Sequence, residues 1–385
     1  MKATGAVVWE RGAPWSIEEI EVDGPTEGEV LVEWAAGGLC HSDEHFRSGS
    51  RVPAGTDDAM YPMLGGHEGS GVVVEVGPGV HSLHVGDHVS ASFIYTCGRC
   101  RYCTSGRGNL CNEGSKIFGK GQFTDGVVRH RARGQDLHLM AKLGTFSSHT
   151  VVAENSVVKV DPQFSLAVAS LVSCGVSTGW GSAVVRAGTQ PGDIVVIIGT
   201  GGLGISAVQG AKAAGAGEII AVDPIEFRRD QALKFGATKA VASVADAAPI
   251  VADLTWGQGA DRVILTPGTV YGDLIRDALD ITGKGAVCVV TGMGVLGESA
   301  IPLEVGNFAL YSKELRGCLF GAMDPRAAAP HLLGLYRQGL LNLDEMITTY
   351  PLSSINDAFR ETIEGRNIRG LLLPDSSPLA ATDPA

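Results

Sequence analysis

The sequence predicts an α/β chain in which a β-rich domain is joined to a doubly wound parallel sheet, and three observations carry this. Residues 1 to about 175 break into short β segments separated by Gly and Pro. From Val176 onward strand and helix patterns alternate. At the first such junction stands Gly199-Thr200-Gly201-Gly202-Leu203-Gly204, a G-x-G-x-x-G between a strand pattern and a helix pattern. At 385 residues the chain is also too long for one ordinary core, so two domains are expected.

In the β-rich part, Glu29–Trp34, Gly71–Val76 and Asp87–Ser92 read as strands, broken by turns such as Gly77-Pro78-Gly79. In the alternating part, Ile194–Gly199 is a buried-strand run and Gly202–Ala214 an Ala-rich helix. Ile219–Asp223 is the next strand, and Ile225–Phe235 a charged amphipathic helix. Arg262–Thr266, Asp273–Leu279, Ala286–Thr291 and Leu315–Phe320 continue the series. Helix Ala327–Gln338 and strand Leu371–Leu373 follow, and the Pro-, Ser- and Ala-rich tail Pro374–Ala385 is expected to fray.

Composition is that of a globular protein, with 44% hydrophobic and 19% charged residues. A net charge of −12 argues against a nucleic-acid or anionic-membrane surface. No apolar run reaches the ~18 residues that span a bilayer, and no signal-peptide pattern is present. A cytoplasmic setting is therefore expected, in which thiols stay reduced and open to metals.

The cysteines are the sharpest signal. Cys97, Cys100, Cys103 and Cys111 form C-x2-C-x2-C-x7-C, four thiols within fifteen residues. That spacing suits a closed tetrahedral zinc with no vacant position, a site that pins a loop. Cys40, His67 and Cys174 supply two sulfurs and one imidazole, which would leave a fourth position free, as a reactive zinc requires. Two zinc ions per subunit are thus expected, one structural and one catalytic. The other thiols, Cys288 and Cys318, fall in apolar strand-like stretches and read as core.

In the glycine motif, Gly199 permits the turn, Gly201 lets backbone approach a pyrophosphate, and Gly204 lets helix and strand pack closely. Gly202 and Leu203 open the helix whose N-terminus faces the anion. Asp223 follows nineteen residues after Gly204, placed for the ribose hydroxyls of NAD and against a 2′-phosphate. Arg228 and Arg229 nearby keep NADP open, and Arg228 joins the cofactor candidates.

A zinc with a free position lowers the pKa of an alcohol from ~16 toward neutrality, and the deprotonated alcohol can then pass hydride to nicotinamide. Ser42 and His45 are candidates for carrying the proton to solvent. Asp43 and Glu68 flank ligands as carboxylates that orient or tune the site, and Glu68 joins Ser42 and His45 as a catalytic candidate. His81, His84 and His88 lie in a turn pattern beside Gly86-Asp87 and are expected in solvent, as are His130 and His138.

Over residues 1–373 the chain resembles the zinc-dependent medium-chain alcohol dehydrogenases. Gly38-Leu39-Cys40-His41-Ser42-Asp43, Gly65-Gly66-His67-Glu68-Gly69-Ser70-Gly71, the four-cysteine lobe, Leu143-Gly144-Thr145-Phe146-Ser147, Ser173-Cys174-Gly175-Val176 and the glycine motif carry the likeness. The resemblance implies a GroES-like catalytic domain (1–177), a Rossmann domain (178–320), a return to the catalytic domain (321–373) and a flexible tail (374–385). It also implies pyrophosphate contacts from His41 and Arg369, a nicotinamide contact from Thr178, and a homo-oligomer acting on small alcohols or aldehydes. Trp9-Glu10, Arg133-Gly134-Gln135-Asp136, Ala221-Val222-Asp223-Pro224 and Phe320-Gly321-Ala322-Met323-Asp324-Pro325-Arg326 resemble the nicotinoprotein subgroup, in which NAD stays bound and an artificial nitroso compound accepts the hydride. The long segment Phe46–Met63, with Pro53, Gly55, Asp57 and Asp58, is expected to shape the substrate entrance. Two alternatives stand beside this reading. One is oxidation of a formaldehyde–thiol adduct, with Arg129, Arg131 or Arg133 as the anchor for its carboxylate. The other is a non-catalytic NAD- or zinc-binding regulator.

Overall fold

Residues 1–50, 60–294 and 300–380 are described by the computed structural model, and they form two units. The first holds Met1–Cys174, Asp324–Arg337 and the stretch from Leu343 onward; the second holds Gly175–Met323 and Gln338–Asn342. Pro53, Gly55, Asp57 and Asp58 of the expected entrance segment lie outside the described residues.

Two sheets build the first unit. One runs Gln135–Asp136, His130–Ala132, Ser16–Val22, Lys2–Val8, Met63–Leu64, His138–Leu139. The other runs Val157–Lys159, His88–Ala91, Gly69–Val76, Glu29–Gly38, Arg369–Leu373, Ile347–Pro351, with His149–Ala153 also paired to Glu29–Gly38. Strand Glu29–Gly38 is the organiser: it takes Gly69–Val76 along one edge and Leu371–Leu372 at its C-terminal end. Its near-continuous apolar run fits burial on both faces. Below the site, Trp15 stacks on Phe359 with centroids 5.7 Å apart and meets Phe146 edge-on at 5.7 Å. Gly65 faces this cluster so closely that a Cβ would lie 2.4 Å from the Trp15 ring, which excludes any larger residue beside His67.

Several sequence expectations are corrected in this unit. His130 and His138 are buried rather than solvated. His130 lies on a strand that pairs with Ser16–Val22, its Nε2 accepts from the Val151 amide at 3.0 Å, and burial lowers its pKa to about 3. Burial, with Lys142 and Lys120, lowers that of His138 to about 4. His81 and His84 are exposed as expected, whereas His88 starts a strand and is half-buried. The tail does not fray as far as Ala380: Ser377 is buried and donates to the Ala35 carbonyl at 2.6 Å.

The second unit is a six-stranded parallel sheet: β1 (Ile194–Ile198), β2 (Glu218–Val222), β3 (Lys239–Val241), β4 (Ala260–Leu265), β5 (Thr282–Val290) and β6 (Glu314–Gly317). Their order is β3-β2-β1-β4-β5-β6, that of a Rossmann sheet with helices on the crossovers. The sequence pattern did not reveal β3 or helix Val244–Leu254, the latter capped by the Ser243 hydroxyl on the Asp246 amide at 3.2 Å. Strand β6 stops at Gly317, three residues before the expected end, and Phe320–Ala322 forms a 3₁₀ turn. Cys288 is core, but Cys318 lies just past β6, half-buried, with Sγ 3.4 Å from Ser182 Oγ. Among the described residues no helix is long and apolar enough to cross a membrane.

Candidate active site and metal centres

Each thiol cluster is positioned by a different device. In the lobe, the sequence folds back on itself through two short 3₁₀ turns, Cys103–Ser105 and Gly108–Leu110. The Cys97 amide donates to Cys111 Sγ at 3.3 Å and the Cys100 amide to Cys97 Sγ at 3.4 Å. Cys100 Sγ lies 3.6 Å from Cys103 Sγ and 4.0 Å from Cys111 Sγ. Four sulfurs at ~2.3 Å around one tetrahedral zinc stand roughly 3.8 Å apart, so the spacing fits that ion. Bonds from the backbone of Cys103 and Asn112 draw the Cys100 thiol down to about 6, while burial and the neighbouring sulfurs push Cys103 up to about 12. Protons alone cannot leave all four sulfurs charged; a divalent cation can.

The second cluster is assembled by the barrel. Strand Glu29–Gly38 ends where the Leu39 amide donates to the Gly370 carbonyl at 2.9 Å. Cys40 then caps helix His41–Ser48. His67 follows Gly66, whose φ of 94° suits only glycine, and the Thr145 amide bonds the Gly66 carbonyl at 3.1 Å. Ser173 Oγ accepts from the Gly69 amide at 3.2 Å and so ties the Cys174 segment to the His67 segment. One donor atom from each of Cys40, His67, Glu68 and Cys174 lies within 4.8 Å of all the others, and all four residues are buried.

Asp43 orients the histidine: its Oδ1 stands 3.1 Å from His67 Nδ1 and accepts the Gly66 amide at 3.2 Å. With Nδ1 engaged, Nε2 is the nitrogen left for a metal, a carboxylate–histidine pairing common at zinc. Phe93 meets the imidazole edge-on at 5.7 Å. The Cys174 hydrogen bond, assisted by His67, holds the Cys40 thiol well below its ordinary range, and Cys174 stands correspondingly above its own. Two thiols, one imidazole and a carboxylate packed away from water again call for a cation.

Glu68 pairs with Arg369, and both are buried. Burial raises the Glu68 carboxyl to about 8 against the opposing charge of Arg369, and its Oε1 has no hydrogen-bond partner among the described residues. This pair joins residues 301 apart in sequence, and the sequence pattern assigns its two members to separate tasks. Ser42 lies at the cluster, with Cys40 Sγ donating to its hydroxyl at 3.5 Å. His45, one turn along the same helix, has Nδ1 3.2 Å from Ser50 Oγ. His41 begins that helix and is half-buried.

In the second unit the glycine motif leads from β1 into helix Gly202–Ala213. Gly199 has φ 87°, and a Cβ on Gly204 would lie 2.0 Å from the Gly199 carbonyl oxygen. Nothing lies within 4 Å of a Cβ placed on Gly201, so that edge is open to a ligand. Leu203 is half-buried on the first turn. Asp223, one residue past β2, accepts from the Thr200 amide at 2.8 Å and the Ile225 amide at 3.0 Å; Arg228 Nη1 stands 4.0 Å away. Thr178 is buried in helix Gly175–Gly181, where a Cβ on Gly179 would lie 2.0 Å from the Leu203 carbonyl oxygen.

A GroES-like barrel holding an incomplete Cys-His-Cys set and a Rossmann sheet bearing a dinucleotide fingerprint define a zinc-dependent dehydrogenase. Residues 26–162 match the alcohol dehydrogenase GroES-like domain, and residues 202–335 match the zinc-binding dehydrogenases. The chain is 46% identical over 374 residues to the NDMA-dependent alcohol dehydrogenase of Amycolatopsis methanolica, covering 97% of this chain and 99% of that one. Similarity to the S-(hydroxymethyl)glutathione dehydrogenase of Saccharomyces cerevisiae is lower, 36% over 385 residues and 97% of each chain. Among solved structures, an alcohol dehydrogenase zinc-binding domain protein from Burkholderia ambifaria superposes with a TM-score of 0.89 at 32% identity, covering 97% of this chain and 99% of that one. The chain belongs to the zinc-binding medium-chain alcohol dehydrogenase family and is a zinc-containing alcohol dehydrogenase that uses a nicotinamide dinucleotide.

Proposed function

We propose that the enzyme interconverts primary alcohols and aldehydes with NAD that stays bound through the cycle, releasing hydride to a second small substrate. The buried Cys40–His67–Cys174 set with Asp43 behind His67 carries this reading, because a closed structural site has no use for an incomplete, charge-tuned donor set. Cys40, His67 and Cys174 would hold a zinc ion that, when bound, acts as a Lewis acid toward the alcohol oxygen. The dinucleotide would supply the hydride acceptor, held by Gly199, Gly201, Gly202, Leu203, Gly204, Asp223 and Arg228, with Thr178 at its nicotinamide and His41 and Arg369 toward its pyrophosphate.

The chain's own groups then have defined tasks. Ser42 accepts the alcohol proton and His45 passes it outward. Asp43 fixes the tautomer of His67, and Glu68 holds Arg369. Likeness to a relative named for its dependence on NDMA supports the bound-cofactor reading. Purified, dialysed protein is therefore expected to keep its nicotinamide absorbance and to bleach NDMA with alcohol and no added NAD. Alcohol oxidation that appears only with added NAD would remove the bound-cofactor part. Asp223→Gly is expected to cut preference for NAD over NADP, measured by binding to stripped protein; an unchanged ratio would remove the role of Asp223.

The thiol-adduct reading is weaker for a specific reason. Arg129 is bound to Glu29 at 3.1 Å and to Asp125, Arg131 to Asp23 at 2.9 Å, and Arg133 to Glu18 at 2.6 Å, so each candidate anchor is already neutralised. The regulator reading leaves the Cys-His-Cys set without a purpose. A cytoplasmic homo-oligomer completes the proposal. All eight cysteines are free, as zinc ligation requires. The outer edge of β6 is unpaired among the described residues, and Val305 (70% exposed) and Leu310 (83%) precede it, which favours pairing with a second copy.

A further inference from the structure

Lys142 is an ammonium buried without a counter-charge. It ends a turn in which two successive residues, Ala141 (φ 51°) and Lys142 (φ 57°), hold left-handed backbone, and it is only 6% exposed. Its Nζ donates to the Gly121 carbonyl at 2.7 Å and stands 4.9 Å from the centroid of the Phe123 ring. Among the described residues it forms no ion pair. Lys116 adds positive charge nearby and is itself paired with Glu113 at 2.6 Å, while Lys120 is exposed and unpaired among the described residues. His138 is close enough to feel the charges of both Lys142 and Lys120. That imidazole is 2% exposed, and neither of its nitrogens has a hydrogen-bond partner among the described residues.

A carbonyl and a ring face engage only part of an ammonium with three donors, and neither neutralises its charge. Burying a cation on those terms is costly, and a neutral donor would clamp the Gly121 carbonyl without that cost. The arrangement gains most when an anion arrives. One buried cation beside a neutral imidazole matches a monoanion such as a carboxylate, whereas a phosphate dianion would stay half-neutralised. An aromatic row joins this place to the buried Cys40–His67–Cys174 cluster. Phe93 meets His67 edge-on at 5.7 Å, and Tyr95 follows two residues on, within about 7 Å along the chain. Tyr95 stacks on Phe123 with centroids 4.6 Å apart, and Phe123 carries Lys142. Phe93, Tyr95 and Phe123 are each half-buried, which leaves apolar surface for a chain to lie along.

We propose that Lys142, with His138 and Lys120, anchors the carboxylate of a substrate whose far end is the reacting alcohol or aldehyde, so that ω-hydroxy acids and their aldehydes belong to the substrate class. The proposal rests on the alcohol–aldehyde reading above. The carboxylate takes no part in the chemistry: the distal CH2OH gives its hydride to the dinucleotide and its hydroxyl proton to Ser42, as any primary alcohol does here. Zinc-loaded full-length enzyme would be assayed with NAD and NDMA on ω-hydroxy acids of increasing length, each against its methyl ester and the 1-alkanol of equal length. The wild type is expected to show kcat/KM roughly 10- to 100-fold higher for the acid than for its ester at the best length, carried by KM rather than kcat. Lys142→Met should bring that ratio to about one, and Lys142→Arg, which keeps the charge, should restore part of it. The ratio is read within one preparation, so a loss of active protein cancels. No preference for acid over ester at any length in the wild type, or a preference that survives Lys142→Met, would overturn the anchor and leave the alcohol reading standing. Turnover of neither acids nor alkanols would overturn both.

Discussion

The lobe and the Cys40–His67–Cys174 cluster use the same donor chemistry but are built in opposite ways. In the lobe, every ligand lies within fifteen residues, three of the four sulfurs are only half-buried, and the local backbone supplies the hydrogen bonds. In the other cluster, the donors come from positions 40, 67 and 174, all are buried, and neighbouring side chains rather than backbone amides tune them. A local cluster closes short loops and depends on its metal to stay closed. A cluster assembled by a sheet is held by the barrel whether or not a ligand is changed. The lobe should therefore be the fragile site and the buried cluster the functional one.

The largest expected effect tests that division directly. Cys40→Ala or His67→Ala should lower turnover below detection and remove one of two zinc equivalents, with the melting temperature nearly unchanged. Metal analysis, activity and calorimetry on the same preparation check all three. Retained turnover after that zinc is lost would break the comparison at its functional end.

Next comes the lobe. Cys100→Ser should remove the other equivalent, lower the melting temperature by roughly 5 °C and open residues 97–111 to proteolysis. Activity measured before unfolding should stay within a few-fold of wild type. A variant as stable as wild type would mean that the lobe is held by its turns alone.

The same contrast between local and assembled sites decides what the amino-acid sequence displays. The lobe and the glycine motif are local, and their spacing shows their chemistry, so Cys97 to Cys111 and Gly199 to Gly204 are legible directly. Cys40, His67 and Cys174 are legible only because two thiols and an imidazole in glycine-rich surroundings are a narrow set. The Glu68–Arg369 pair is not, because sheet pairing of Arg369–Leu373 with Glu29–Gly38 creates it. His130 and His138 mislead for a related reason: polar residues in short strands are buried or exposed by what the other face meets, which alternation alone does not encode. Strand β3 and helix Val244–Leu254 are hidden because β3 is only three residues long and Pro249 interrupts the helical pattern.

The smallest effect is the most informative about how the buried cluster is tuned. Asp43→Asn keeps the shape of the carboxylate but removes its charge. One side-chain oxygen can still accept from His67 Nδ1 and the Gly66 amide, so the ring should keep its orientation. What changes is basicity: without the negative charge behind it, the imidazole becomes a poorer donor to zinc. Zinc affinity at the catalytic equivalent should fall ~10–100-fold, with the lobe equivalent untouched. A chelator titration that separates the two equivalents reads this without relying on turnover. Equal weakening of both would show that Asp43 acts through the fold as a whole; no weakening would show that position, rather than charge, is what His67 needs from its neighbour.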